Sequence, residues 1–86
     1  MSPATHSVVL LTRAGCSLCD KAAVTLQAIC DDFGIAVESV DIDAIAQVKP
    51  QLRAEYGDRV PVVLLDGAEH SYWEVDEPRL RSDLRG

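Results

Sequence analysis

Two continuous apolar runs, Val8-Val9-Leu10-Leu11 and Val60 to Leu65, constrain the fold of this 86-residue chain more than any other feature. Neither alternates with polar residues, and both are far too short to cross a bilayer. Ser7 to Thr12 is short and rich in branched side chains, which suits a central strand covered on both faces. The length allows one small domain, 1–86, with one modest core. An apolar content of 48% argues against disorder despite a net charge of -6. Eight basic residues against fourteen acidic ones, with no continuous basic run, argue against nucleic acid and membrane surfaces as partners. Met1 to Ser7 carries no basic region leading into a long apolar segment, so no secretory signal is expected and a reducing cytoplasm is the default. Three cysteines suggest one pair plus one spare, not a disulfide scaffold.

Thr12 to Gly15 breaks the first strand. From Ser17 to about Phe33, Ala22, Ala23, Leu26, Ile29, Cys30 and Phe33 form a helical stripe, with Ser17 as N-cap, Asp20 three residues on and Gly34 as the stop. Ala36 to Val40 has strand character, and Asp41-Ile42-Asp43 supplies a turn. Strand, helix and strand in succession imply a right-handed parallel crossover. Asp43 to Tyr56 reads as a second helical region that Pro50 divides, since Lys49 is pushed from helical angles by the proline; Gly57 closes it. Val60 to Leu65 and roughly His70 to Glu74 flank the hairpin signal Asp66-Gly67. Asp76 caps a last helix that carries Pro78 in its first turn and Leu80 and Leu84 on one face. The order is βαβαββα.

Cys16-Ser17-Leu18-Cys19 falls between the first strand and the first helix. Two intervening residues let the sulfurs meet at modest strain, and a helix start favours the thiolate through unpaired N–H groups and the helix dipole. Three uses of the pair are open: a redox dithiol, an inert pair in a binding module, and a metal site. The last lacks ligands within one chain, because only Cys30, His6 and His70 remain, leaving a two-sulfur site shared between subunits. In the redox use, Cys16 is the more exposed sulfur and attacks, and Cys19 resolves. Arg13 adds a favourable positive charge, modest if it faces water. Cys30 lies about 16 Å along the helix from Cys19 and is read as a core thiol, with secondary oxidation as the alternative. Tyr56 is read as a packed residue. Trp73 is assigned to packing of the last strand against a helix, with an apolar substrate rim as the alternative. His6 and His70 receive no catalytic role.

Thr12-Arg13-Ala14-Gly15-Cys16-Ser17-Leu18-Cys19-Asp20-Lys21-Ala22, together with Tyr56-Gly57-Asp58-Arg59-Val60-Pro61-Val62, resembles the thioredoxin-like superfamily. More specifically, it is similar to compact glutaredoxin-like proteins with Thr-Arg-x-x-Cys-x-Leu-Cys in the first loop. The resemblance spans nearly the whole chain. It implies an α/β thioredoxin-like fold with a four-stranded mixed sheet ordered 2-1-3-4, helices on both faces, and the dithiol beside a cis proline. A cis Val60–Pro61 bond would turn the backbone of Val60 toward Cys16, leaving its N–H and C=O to pair with an extended thiol substrate. Cys16 and Cys19 take the catalytic positions, and Arg13, Ser17, Leu18, Val60 and Pro61 the substrate-binding ones. Glutathione-using relatives hold the tripeptide with a basic residue three before the first cysteine, matched by Arg13, a Val-Pro segment, matched by Val60-Pro61, and a later Gly-Gly-x-x-Asp segment, and they carry Pro-Tyr between the cysteines. Here the chain after Gly67 lacks the glycine pair, and Ser17-Leu18 replaces Pro-Tyr.

The resemblance implies a monomeric thiol-disulfide oxidoreductase without a tightly bound cofactor, reducing protein or glutathione mixed disulfides. Its partners would be a disulfide-containing protein or a small thiol, with glutathione or a reductase resetting it. The alternatives are a noncatalytic binding or redox-sensing module of the same fold, and a metal or iron-sulfur carrier bridged by two subunits.

Overall fold

The computed structural model describes residues 6–86; residues 1–5, most of the stretch read for a secretory signal, lie outside them. The elements are β1 (Val8–Thr12), α1 (Ser17–Asp32), β2 (Val37–Asp41), α2 (Pro50–Tyr56), β3 (Val62–Leu65), β4 (Ala68–Tyr72) and α3 (Glu77–Arg85). Four strands form one sheet in the order β2-β1-β3-β4. The β1–β2 pair is parallel across the α1 crossover, and β1–β3 and β3–β4 are antiparallel. The α/β thioredoxin-like topology expected from the sequence is therefore the observed one.

Strand β1 shows why its run is apolar without alternation. Val8 and Leu10 join Ala22, Leu26, Ile29, Cys30, Val63, Leu80 and Leu84 in a core beneath α1 and α3. Leu11 joins Ile42 and Val62 on the opposite face, where Val9, Val40, Leu52, Tyr56 and Leu64 pack around them. Leu10 and Leu11 are 0% and 1% exposed, and burial of each contributes about 1.5–3 kcal/mol. Cover on the second face is thin, because α2 has seven residues and none of them is fully buried.

Three local readings are corrected. The N-cap of α1 is Cys16, not Ser17: Cys16 has extended angles and its Sγ accepts from the Cys19 N–H. Of the region from Asp43 to Tyr56, only the part after the division at Pro50 is helical. The Asp41 carboxylate accepts from the N–H groups of Asp43 and Ala44, drawing residues 43–48 into turns, and Lys49, held off helical angles, precedes a helix that begins at Pro50. Strand β4 starts at Ala68, two residues before the expected His70. Asp66 and Gly67 form a two-residue loop with φ of 53° and 86°, the double positive φ of a type I′ turn. Val63 then pairs with Ser71 while Leu64 pairs with Glu69, so His70 is an extra residue in a β-bulge. Its Nε2 lies 2.7 Å from Asp83 Oδ2 and ties β4 to α3.

The stop at Gly34 is a Schellman cap. Gly34 takes φ of 68°, its N–H donates to Asp31 C=O, and the Ile35 N–H donates to Cys30 C=O.

Candidate functional site

The sheet register gathers the site at one end. Thr12 pairs with Asp41 across β1–β2. One step beyond the Leu11–Val62 and Val62–Tyr72 pairs, Pro61 lies between Thr12 and Trp73. The loop that leaves this end of β1 carries the cysteines. Gly15 turns it with φ of 76°, a conformation that costs glycine little, and α1 starts immediately after Cys16.

Cys16 and Cys19 form a disulfide with a Cα–Cα separation of 5.2 Å. Cys16 is half-buried, whereas Cys19 is 3% exposed. The Cys19 N–H donates to Cys16 Sγ at 3.1 Å, so the outer sulfur occupies the anion-favouring start of a 16-residue helix. This pair is a thiol-disulfide redox-active site, with one half-buried sulfur and one enclosed sulfur. Cys30 stands apart, free and fully buried, and burial pushes its thiol pKa up, with the Asp31 charge adding to the effect.

Arg13 is bound elsewhere than at the sulfurs. Its Nε donates to Asp43 Oδ2 at 2.9 Å and a terminal nitrogen donates to the Gly57 carbonyl at 3.0 Å. The guanidinium thus ties the dithiol loop to the segments on either side of α2. Arg59 donates to Glu69 at 3.1 Å, approaches Glu55 at 3.7 Å and lies over the Tyr56 ring. Tyr56 itself packs against the core on that face.

The Val60–Pro61 peptide is cis. Pro61 accepts the Trp73 N–H at 2.8 Å, which carries the β3–β4 pairing one step past the strands. Among the described residues, neither the N–H nor the C=O of Val60 has a hydrogen-bond partner.

Ser17 and Leu18 are exposed on the first turn of α1. Leu18 lines a groove of about 540 Å³ with Lys21, Ala22 and Thr25 of α1 and with Trp73, Glu74 and Val75 after β4. Trp73 is 53% exposed with φ of 67°, and its ring meets Tyr72 edge-on at 5.0 Å. It is therefore a rim residue, contrary to its assignment to packing. Of the groove's α1 wall the sequence points to Leu18 as substrate-binding and not to Lys21, Ala22 and Thr25, although residues 18, 21, 22 and 25 have the spacing of one helical face. No local signal marks Asp43 and Gly57 as the partners of Arg13.

Neither histidine lies in this constellation: His6 Nδ1 is 2.7 Å from Asp66 at the hairpin, and His70 pairs with Asp83. Among the described residues, no three His, Cys, Asp or Glu side chains converge as metal ligands, and no helix is long and apolar enough to cross a membrane.

The model of the family described as "Glutaredoxin-like domain (DUF836)" matches residues 7–85. An uncharacterized protein of Mycobacterium tuberculosis is 55% identical over 78 residues, covering 90% of this chain and 80% of the relative. Among solved structures, an NMR structure of a Nitrosomonas europaea protein superposes with a TM-score of 0.81 at 23% identity, covering 98% of this chain and 96% of the other. A crystal structure of an arsenical resistance operon trans-acting repressor from Bacteroides vulgatus superposes with a TM-score of 0.59 at 18% identity, covering 96% and 94%. At these identities the two structures speak for the fold.

Proposed function

Since the chain belongs to the glutaredoxin-like domain (DUF836) family, we propose that it is a small thiol-disulfide oxidoreductase acting through Cys16 and Cys19. In the reduced protein the Cys16 thiolate attacks one sulfur of a substrate disulfide. The substrate S–S bond breaks, the departing sulfur leaves as a thiolate and takes a proton from water, and a mixed disulfide joins Cys16 to the substrate. The Cys19 thiolate then attacks Cys16 Sγ, releasing the second substrate thiol and forming the Cys16–Cys19 disulfide. Two electrons have passed to the substrate, and glutathione or a dithiol reductase returns them to the protein.

The observation that carries this reading is the asymmetry of the pair. The half-buried Cys16 sulfur accepts an N–H at a helix start, while its partner is enclosed behind it. Val60 supports it, because its unpaired backbone groups stand one residue before Pro61 at the same sheet end, available to an extended substrate. Arg13 acts here as a positioning residue that holds the dithiol loop. We take the whole chain, 1–86, as one functional unit working as a monomer in a reducing cytoplasm.

Mass spectrometry of single-turnover reactions with a small disulfide tests the order of events. The parent protein should yield the Cys16–Cys19 disulfide, Cys19→Ser should accumulate a mixed disulfide on Cys16, and Cys16→Ser should yield neither. Reduction of substrate by Cys16→Ser at the parent rate would sink the assignment.

A further inference from the structure

Two sulfurs suffice for the exchange reaction, yet the same first turn of α1 also contributes Leu18 to a half-exposed apolar rim. Leu18 is 47% exposed and Trp73 53% exposed, and both line the groove between α1 and the segment after β4. Trp73 holds this place with φ of 67°, a backbone region in which a bulky side chain is strained, and it is fixed there by its N–H bond to Pro61. Glycine would adopt that conformation freely. An indole held at such a position, and half in water, does little for the core; its outer face is available to a ligand.

The charges narrow the ligand. Arg13 is occupied by Asp43 and the Gly57 carbonyl, and Arg59 by Glu69 and Glu55. Within the groove the remaining cation is Lys21, and Glu74 lines the same space. The groove is thus near neutral on a chain of net charge -6. Glutathione, with its paired carboxylates, finds one ammonium group there, offset by a carboxylate, and repulsion at long range. A neutral or cationic polypeptide finds an apolar seat formed by the first turn of the helix that Cys16 caps and by Trp73, which is bonded to Pro61 next to Val60.

We propose that the Leu18–Trp73 groove selects protein disulfides. It seats an apolar side chain next to the substrate cysteine in an extended segment of neutral or positive charge, and it places glutathione at a disadvantage. This rests on the oxidoreductase reading above. In the exchange step, the Cys16 thiolate bonds to the sulfur of the seated cysteine, the S–S bond of the substrate breaks, and the distal sulfur leaves as a thiolate.

The test equilibrates reduced Cys19→Ser, which keeps Cys16 as the reacting thiol, with equal amounts of glutathione disulfide and of the disulfide-linked dimer of a short cysteine peptide flanked by Leu and Phe, each with its own thiol. Every mixed disulfide on Cys16 then forms as an added S–S bond breaks and one thiol is released. The two mixed disulfides on Cys16 are counted by mass spectrometry. The peptide adduct should exceed the glutathione adduct about tenfold, the effect of partly burying one apolar side chain. Trp73→Gly, which suits the left-handed backbone, should bring the ratio close to one, and Leu18→Ser should lower it. Parity or an excess of glutathione with Trp73 present would overturn the proposal, as would a peptide preference that survives both substitutions. If Cys16 forms neither adduct, the oxidoreductase reading itself fails.

Discussion

One atom of Cys16 carries two assignments: its Sγ closes the start of α1, and it is the sulfur we propose as the attacking one. The two roles separate by substitution. Serine is a strong N-cap, so Cys16→Ser should leave stability within about 0.5 kcal/mol of the reduced parent, whereas Cys16→Ala should cost about 1 kcal/mol. Urea unfolding under reducing conditions reads the difference; equal stability of the two variants would show that the cap is energetically idle. At this scale the sequence was informative about chemistry and less so about contacts. The spacing of Cys16 and Cys19 announced a dithiol, and the asymmetry of their exposure followed from the helix start. The spacing puts the charge of Arg13 three residues from Cys16 but does not show where its hydrogen bonds go, to Asp43 and Gly57, which lie 30 and 44 residues away. Long-range partners of this kind leave no mark in local spacing.

Among the elements, the β3–β4 hairpin is the most tightly specified. The Asp66 carboxylate accepts the Ser7 N–H at 2.8 Å and lies 2.7 Å from His6, binding the turn to the chain just before β1. The Ser7 N–H, with the His6 bond second, holds the Asp66 pKa below its ordinary value. A carboxylate held low in the folded chain stabilises it fully above the ordinary carboxylate range, and this contribution disappears as pH falls through the folded value. The protection of the Ser7 amide, read by NMR as its exchange rate relative to the intrinsic rate at each pH of an acid titration, should therefore fall as Asp66 protonates. Asp66→Asn, which tolerates the left-handed turn, should remove that pH dependence. The Asp66-Gly67 signal located this hairpin correctly. The bulge at His70 was hidden, because an extra residue in a strand looks like a break in alternation. The turns of residues 43–48 were missed for a related reason: their apolar residues suit a helix, but the Asp41 side chain captures the backbone first.

Across the whole molecule, the two faces of the sheet are unequally covered. Helices α1 and α3 seal one, and the short α2 leaves the other partly open. Neighbouring residues of β1 should report this. Leu10→Ala, on the sealed face, should cost about 2–5 kcal/mol, and Val9→Ala, on the open one, about 1 kcal/mol, compared by chemical denaturation. Equal losses would mean that α2 and its flanking turns cover more than their burial indicates. The apolar run of β1 made a doubly covered central strand legible, and the parallel crossover followed from element order. The placing of β3 beside β1 did not follow from periodicity; it came from the resemblance carried by the dithiol loop and the Val60-Pro61 segment.

The bulge at His70 bears on how chains of this family can differ in length. Leu65, Leu64, Val63 and Val62 take Ala68, Glu69, Ser71 and Tyr72 as partners and pass over His70. A chain lacking that residue would keep every one of these pairs, with Trp73 still next to Pro61, and would lose the tie between β4 and Asp83 of α3. The hairpin therefore contains a place where evolution can add or remove one residue and change stability while leaving the reactive end of the sheet in register.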